Sequence, residues 1–119
     1  MFEIWHKIDK KPIGYCEFDD ISWTYRVACI GFIIGELEYW GKGIGTEIVK
    51  MLLEYGFKEL NLHKITSEVL VPNIGSIRII EKNGFKLEGK FREEMYIDGI
   101  YYDMLKYGLL KEEWNQLQK

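Results

Sequence analysis

The run Trp40-Gly-Lys-Gly-Ile-Gly45 restricts this chain more than any other segment, because alternate glycines lead straight into an amphipathic stretch. Removing the Cβ at positions 41, 43 and 45 opens positive φ to the backbone and lets successive N–H groups converge on one anion. From Ile44 onward Ile48, Val49, Leu52, Leu53 and Leu60 share one helical face, while Lys50, Glu54 and Lys58 share the other. That helix begins where the glycines end. Its first turn therefore offers unpaired N–H groups and roughly half a unit of positive charge to whatever the loop holds. Lys42 adds a full charge. Taken alone, the six residues are also compatible with a plain strand-to-helix turn. Two standard nucleotide loops fit poorly. A P-loop needs Gly-Lys-Ser/Thr, and here Lys42 stands between glycines with no hydroxyl after it. A dinucleotide fingerprint needs a third glycine three residues beyond the second, where Glu47 and Ile48 fall instead. With Asn73-Ile-Gly-Ser76 downstream, the set suggests a pocket for a pyrophosphate-bearing cofactor.

At 119 residues and 47% apolar content, the chain is read as one globular domain over 1–119. A net charge of −3, with aromatics not interleaved among Lys/Arg clusters, argues against nucleic acid as a partner. No apolar run reaches the length of a membrane span, and Met-Phe-Glu-Ile-Trp-His lacks the layout of a signal peptide. A soluble, intracellular and cytoplasmic protein is expected. Cys16 and Cys29 sit in apolar segments without metal-ligand spacing, and are read as reduced core thiols. His6 and His63 are too far apart in sequence to suggest a metal, so none is expected.

The pattern predicts a strand over 2–7, a turn at Asp9–Pro12 and a partner strand over 13–18, with Asp19-Asp20 marking the next connection. A buried strand over 26–34 delivers the chain to the glycines. After the helix, a strand over 64–71 ends at Pro72. A short helix then runs from Asn73 to Asn83, with Ile74, Ile77 and Ile80 inward and Gly84 as its stop. Strands over 85–97 and 100–107 flank Asp98-Gly99, a strong hairpin signal. A polar helix over 111–118 closes the chain.

Six segments together carry a family resemblance: Ile13-Gly-Tyr15, Trp40 to Glu47, Asn73-x-x-Ser76, Glu81-Lys-Asn-Gly-Phe85, Leu87-Glu-Gly89 and Gly99-x-Tyr-Tyr-Asp103. The chain resembles the GNAT superfamily of acyl-CoA-dependent N-acetyltransferases, in particular its RimL-like branch of ribosomal-protein N-terminal acetyltransferases. The resemblance implies an α+β fold, a mixed, mostly antiparallel sheet flanked by helices in three layers. It implies acetyl-CoA as cofactor, with its pyrophosphate on the amides of Gly41, Lys42, Gly43, Ile44, Gly45 and Thr46. Ile33 and Ile34 would run beside the pantetheine arm, and Asn73 and Ser76 would close the site. Asn73 is equally a helix cap, and both roles are compatible. Trp40 is expected to pack under the loop.

The implied reaction is direct attack of a primary amine on the thioester, a protein N-terminus being one acceptor and polyamines, antibiotics and amino acids others used by related folds. An α-amine has a pKa of about 8 and a lysine about 10.4, so one proton must be removed before attack. By the same resemblance Ile80 stands at the family's frequent tyrosine acid, and Cys29 at its frequent glutamate base. Ser76 is the candidate acid. Glu94, with Glu93 beside it, is the candidate base, and a water relay is the alternative. The wall that the branch builds from one further strand and two helices before the segment matching Phe2 is expected to be missing. An exposed sheet edge then predicts a homodimer. The rival expectation is an acyl-CoA-binding or assembly module that has lost turnover.

Overall fold

The computed structural model describes residues 2–6, 10–34, 41 and 43–119, and of Trp5 and His6 the backbone alone. Trp40 and Lys42 lie outside the described residues. Strands β1 (Phe2–His6), β2 (Lys11–Ser22) and β3 (Val27–Ile34) precede helix α1 (Ile44–Glu54), which widens into a π-helical turn over Tyr55–Glu59. Then follow β4 (Lys64–Leu70), α2 (Ile74–Lys82), β5 (Lys86–Ile97), β6 (Ile100–Leu110) and α3 (Lys111–Leu117). The strands form a sheet in the order β1-β2-β3-β4-β6-β5. It is mixed and mostly antiparallel, as the family resemblance implied, because among the described residues β3 and β4 alone run parallel across the long αβ connection.

Alternation along the strands builds one core. Cys16, Ala28, Ile30, Ile65, Val69, Tyr107 and Leu109 meet Val49, Leu52 and Leu53 of α1, Ile80 of α2 and Trp114 of α3 in a single buried cluster. All three described helices thus cover the same sheet face, which gives two layers within the described residues. On α1 the polar face carries the ion pairs Lys50–Glu47 at 3.8 Å and Lys58–Glu54 at 3.4 Å. Both are exposed and contribute a few tenths of a kcal/mol at most.

Several boundaries differ from the sequence pattern. The acids Asp19-Asp20 do not end β2: a bulge between Asp19 and Ser22 absorbs them, with Asp20 at φ 48°, and the turn falls at 23–26. Of the expected turn at Asp9–Pro12, Asp9 lies outside the described residues, and Lys11 and Pro12 already belong to β2. Strand β3 is not buried throughout, since Ala28 and Ile30 face the core while Ile33 is 51% exposed. Ile74 is also exposed, being the first residue of α2 and clear of the sheet. Helix α3 is less polar than its composition, because Trp114 packs on Phe57 with ring centroids 5.3 Å apart.

Beyond their last shared pair, β3 and β4 part company. They pair only at Val27↔Lys64, Ala28↔Ile65 and Cys29↔Thr66. From there β3 stays with β2 as far as Gly14↔Ile34, whereas β4 stays with β6 as far as Leu70↔Met104. A wedge opens between Ile30–Ile34 and Ser67–Leu70. Gly14 helps hold its outer wall, since a Cβ there would collide with the Ile33 carbonyl.

Helix α2 is anchored over this wedge by Ile80, which is fully buried. Ile80→Ala should lower the unfolding free energy by about 2–5 kcal/mol, read as a lower urea midpoint at unchanged slope. A loss below about 1 kcal/mol would mean that α2 is held by something else.

Candidate functional site

The wedge, the glycine turn and the start of α2 enclose a cleft of about 690 Å³. Phe32, Ile33 and Ile34 form one wall, Gly41, Gly43, Gly45 and Thr46 the end, and Pro72 to Ser76 with Arg78, Ile79 and Lys82 the other wall. The sequence-predicted cofactor residues Ile33, Ile34, Gly41, Gly43, Gly45, Thr46, Asn73 and Ser76 are therefore brought together. Ile44 opens α1 between them without lining the cavity, and Lys42 lies outside the described residues.

Gly41 and Gly43 adopt φ of 74° and 78°, values that cost an L-residue roughly 1–2 kcal/mol. A Cβ on either would meet nothing within 4 Å, so both backbones border open space. Gly43 is the N-cap of α1, and no side chain caps that end. The first N–H groups of the helix are consequently available to a ligand. The cradle fits a diphosphate: bare backbone, positive helix end, and room where side chains would stand.

Asn73 serves as the predicted cap, its Oδ1 accepting the Ser76 N–H at 3.2 Å. That bond fixes the amide orientation and leaves Nδ2 as a donor. Ser76 is half-buried in the cleft wall, and among the described residues its hydroxyl has no hydrogen-bond partner. At the far end of α2, Asn83 Nδ2 donates to the Ile79 carbonyl at 2.9 Å and to the Thr46 carbonyl at 3.5 Å. It is 6% exposed and links the two helices that flank the cleft.

Cys29 stands at the wedge apex, paired with Thr66. Burial pushes its thiol above the ordinary cysteine value, against the pull of the Thr66 hydrogen bond. It stays protonated at neutral pH and is no substitute for a carboxylate base.

Glu94 lies elsewhere. It is exposed on β5 and lines an open cavity of about 820 Å³ with Lys90, Phe91, Arg92, Glu93 and Asp103. This cavity shares no lining residue with the cleft. The two flank the exit of β4, because the Asp103 carbonyl accepts the Val71 N–H at 3.1 Å just before Pro72. A bulge in β5 between Phe91 and Met95 puts Glu93 at φ 50°, and its N–H donates to Asp103 Oδ1 at 2.8 Å. Lys90 Nζ lies 3.3 Å from Asp103 Oδ2. The Glu93 N–H first, and Lys90 second, hold the Asp103 carboxyl below the usual range. Tyr101 packs at a tilt against Tyr96, 4.8 Å between centroids, and is exposed, so it packs the hairpin surface. The sequence had singled out neither Arg78 nor Lys82, although their spacing from Gly75 was there to be read. The bulge carried no signal, because it depends on a partner ten residues away across the hairpin.

Residues 2–86 match the model of the acetyltransferase (GNAT) domain, and the chain belongs to that family. It is 35% identical over 116 residues to the probable N-acetyltransferase YjcK of Bacillus subtilis, a match covering 97% of this chain and 64% of the relative. It is 35% identical over 105 residues to the spermidine N(1)-acetyltransferase of Vibrio cholerae, covering 88% and 60%. A Bacillus subtilis relative, YdaF, provisionally named a ribosomal N-acetyltransferase, is 37% identical over 106 residues, covering 89% and 57%. Among solved structures, a mutant form of the spermidine N-acetyltransferase SpeG from Vibrio cholerae superposes with a TM-score of 0.89 at 32% identity, covering 98% of this chain and 68% of that one. The chain spans about three-fifths of the length of these curated relatives. Among the described residues no helix is long and apolar enough to cross a membrane.

The Asp103 carboxylate should hold the Glu93 amide against solvent exchange above the ordinary carboxylate pKa of about 3.9, and release it as pH falls through its depressed value. The sign follows from a folded-state pKa lower than the unfolded one. Hydrogen exchange should show a protected Glu93 amide that Asp103→Ala exposes at neutral pH. Equal protection in the variant would remove the bond from this account.

Proposed function

We propose that the protein transfers an acetyl group from acetyl-CoA to a primary amine by direct attack. The observation that carries this reading is the convergence of an uncapped helix N-terminus, two positive-φ glycines and Asn73 on a cleft opened by the β3–β4 wedge. Acetyl-CoA would supply an activated thioester. The amides from Gly41 to Thr46, with Lys42, would hold its diphosphate, and the edge of β3 near Ile33 and Ile34 would align the pantetheine amides. The Nδ2 of Asn73 would fix the arm from the opposite wall. As the new N–C bond forms and the C–S bond breaks, the hydroxyl of Ser76 would give its proton to the departing sulfur and regain one from solvent. The proton of the amine would pass through water to Glu94, since that carboxylate lines the neighbouring cavity.

Amine acetylation is supported by the names of the relatives, one a spermidine acetyltransferase and one provisionally ribosomal. Both acceptor classes present a primary amine, and a protein N-terminus remains the RimL-like form of the proposal. The rival is a module that binds the cofactor without turnover. It draws on Ile80 and Cys29, which stand where the family resemblance places the missing acid and base.

Calorimetric titration with acetyl-CoA, paired with free-thiol release over a panel of primary amines, decides between the two. Binding with release is expected. Binding without release would select the module, and no binding would overturn both. Gly43→Val should abolish acetyl-CoA binding by putting a branched side chain into the open cradle, and an affinity equal to wild type would refute this placement of the diphosphate.

Ser76→Ala should leave acetyl-CoA affinity within about threefold and lower kcat by about 10²-fold or more, the lower end of general-acid effects. Unchanged kcat would take the acid role from Ser76. We also propose a homodimer through a sheet edge, β1 or β5, where Phe2, Leu87 and Tyr96 are exposed. A stable monomer at micromolar concentration in size-exclusion light scattering would exclude it.

A further inference from the structure

We infer that Arg78 and Lys82 form a second anion site on the α2 wall of the cleft, one that takes a phosphomonoester and so selects the phosphorylated ribose of coenzyme A. The inference rests on the coenzyme A reading of the cleft and goes beyond it. Gly75, Arg78, Ile79 and Lys82 stand at i, i+3, i+4 and i+7, which puts them on one stripe of α2, and all four line the cleft. Two contacts fix that stripe against the first turn of α1. Ile79 sits over Gly45, and the neighbouring Asn83 reaches the Thr46 carbonyl at 3.5 Å. The two cations therefore flank the amide cradle from its α2 side.

Both cations are exposed, and among the described residues neither makes an ion pair or a hydrogen bond. Lys50, Lys58, Lys64, Lys86 and Lys90 each face a carboxylate, while Lys106, like these two, faces none among the described residues. Like charges four residues apart on a helix repel, so the pair weakens the free helix. Lys82 has the partial excuse of a helix C-terminus, where a cation suits the dipole, but Arg78 sits mid-helix and has none. An anion between them removes the repulsion. A chain of net charge −3 has no general attraction for a polyanion, which makes the local placement of these cations count. The glycine turn and helix end already suit a diphosphate. What remains for a guanidinium fork and an ammonium is a further phosphate carrying about −1.5 to −2 charges, the group that a phosphomonoester presents.

The test titrates the full chain with coenzyme A and with dephospho-coenzyme A by calorimetry, at low and at moderate salt, for wild type and for Arg78→Gln/Lys82→Gln. Wild type should bind coenzyme A about tenfold or more tightly than the dephospho form, the weight of one charge-assisted hydrogen bond. Salt should shrink that preference, because both side chains are exposed. The double variant should bind both ligands as wild type binds the dephospho form, with thermal unfolding unchanged. Equal affinities in wild type would overturn the inference. So would a double variant that loses both ligands alike, since the cations would then serve the diphosphate. Failure of wild type to bind either ligand would overturn the parent reading together with this one.

Discussion

Everything about the site follows from the early end of one parallel pairing. Strands β3 and β4 share a ladder only as far as Cys29 and Thr66, and then each follows its antiparallel neighbour. An unpaired strand edge in a protein interior would carry unsatisfied N–H and C=O groups, at a cost comparable to several lost hydrogen bonds. Here the β4-side edge of Ile30–Ile33 instead faces a cleft, where water or a ligand amide can bond to it. The wedge is thus both the structural defect and the binding feature. Helices α1 and α2 end up at its mouth because each follows one of the two diverging strands.

The sequence carried the local part of this well. Alternate glycines before an apolar-periodic stretch marked the cradle, because positive φ and an uncapped helix start are local properties; Gly41 and Gly43 adopt them. Asn73 as a cap and Asp98-Gly99 as a hairpin turn were legible for the same reason, and both form. What was not legible depends on partners distant in the chain. The run of β2 through Asp19-Asp20 depends on its continued pairing with β3, which outweighs the turn preference of two acids. The burial of Trp114 requires Phe57 beneath it, and a polar-looking helix gives no hint of that partner. The family resemblance supplied the cofactor, while the cations of α2 needed the packing of Ile79 on Gly45 before they could be placed.

Two cavities meet at the exit of β4, and their chemistry differs. The cleft is lined by apolar β3, bare backbone and unpaired cations. The bulge cavity of β5 mixes the carboxylates of Glu93, Glu94 and Asp103 with Lys90 and Arg92, and Asp103 is committed to the Glu93 N–H and to Lys90.

Asn83 gives the cleft a property that none of its lining residues has. Buried, and bonded both to its own helix and to the Thr46 carbonyl in the first turn of α1, it links the α1 end of the cleft to the α2 wall. Walls bonded to each other have less freedom to lose when a ligand arrives, so less ordering entropy is lost in binding. Preorganisation of that kind places the conformational cost in folding the chain, where the core around Ile80 and Leu53 meets it, and leaves the interaction energy of the cleft to appear as affinity.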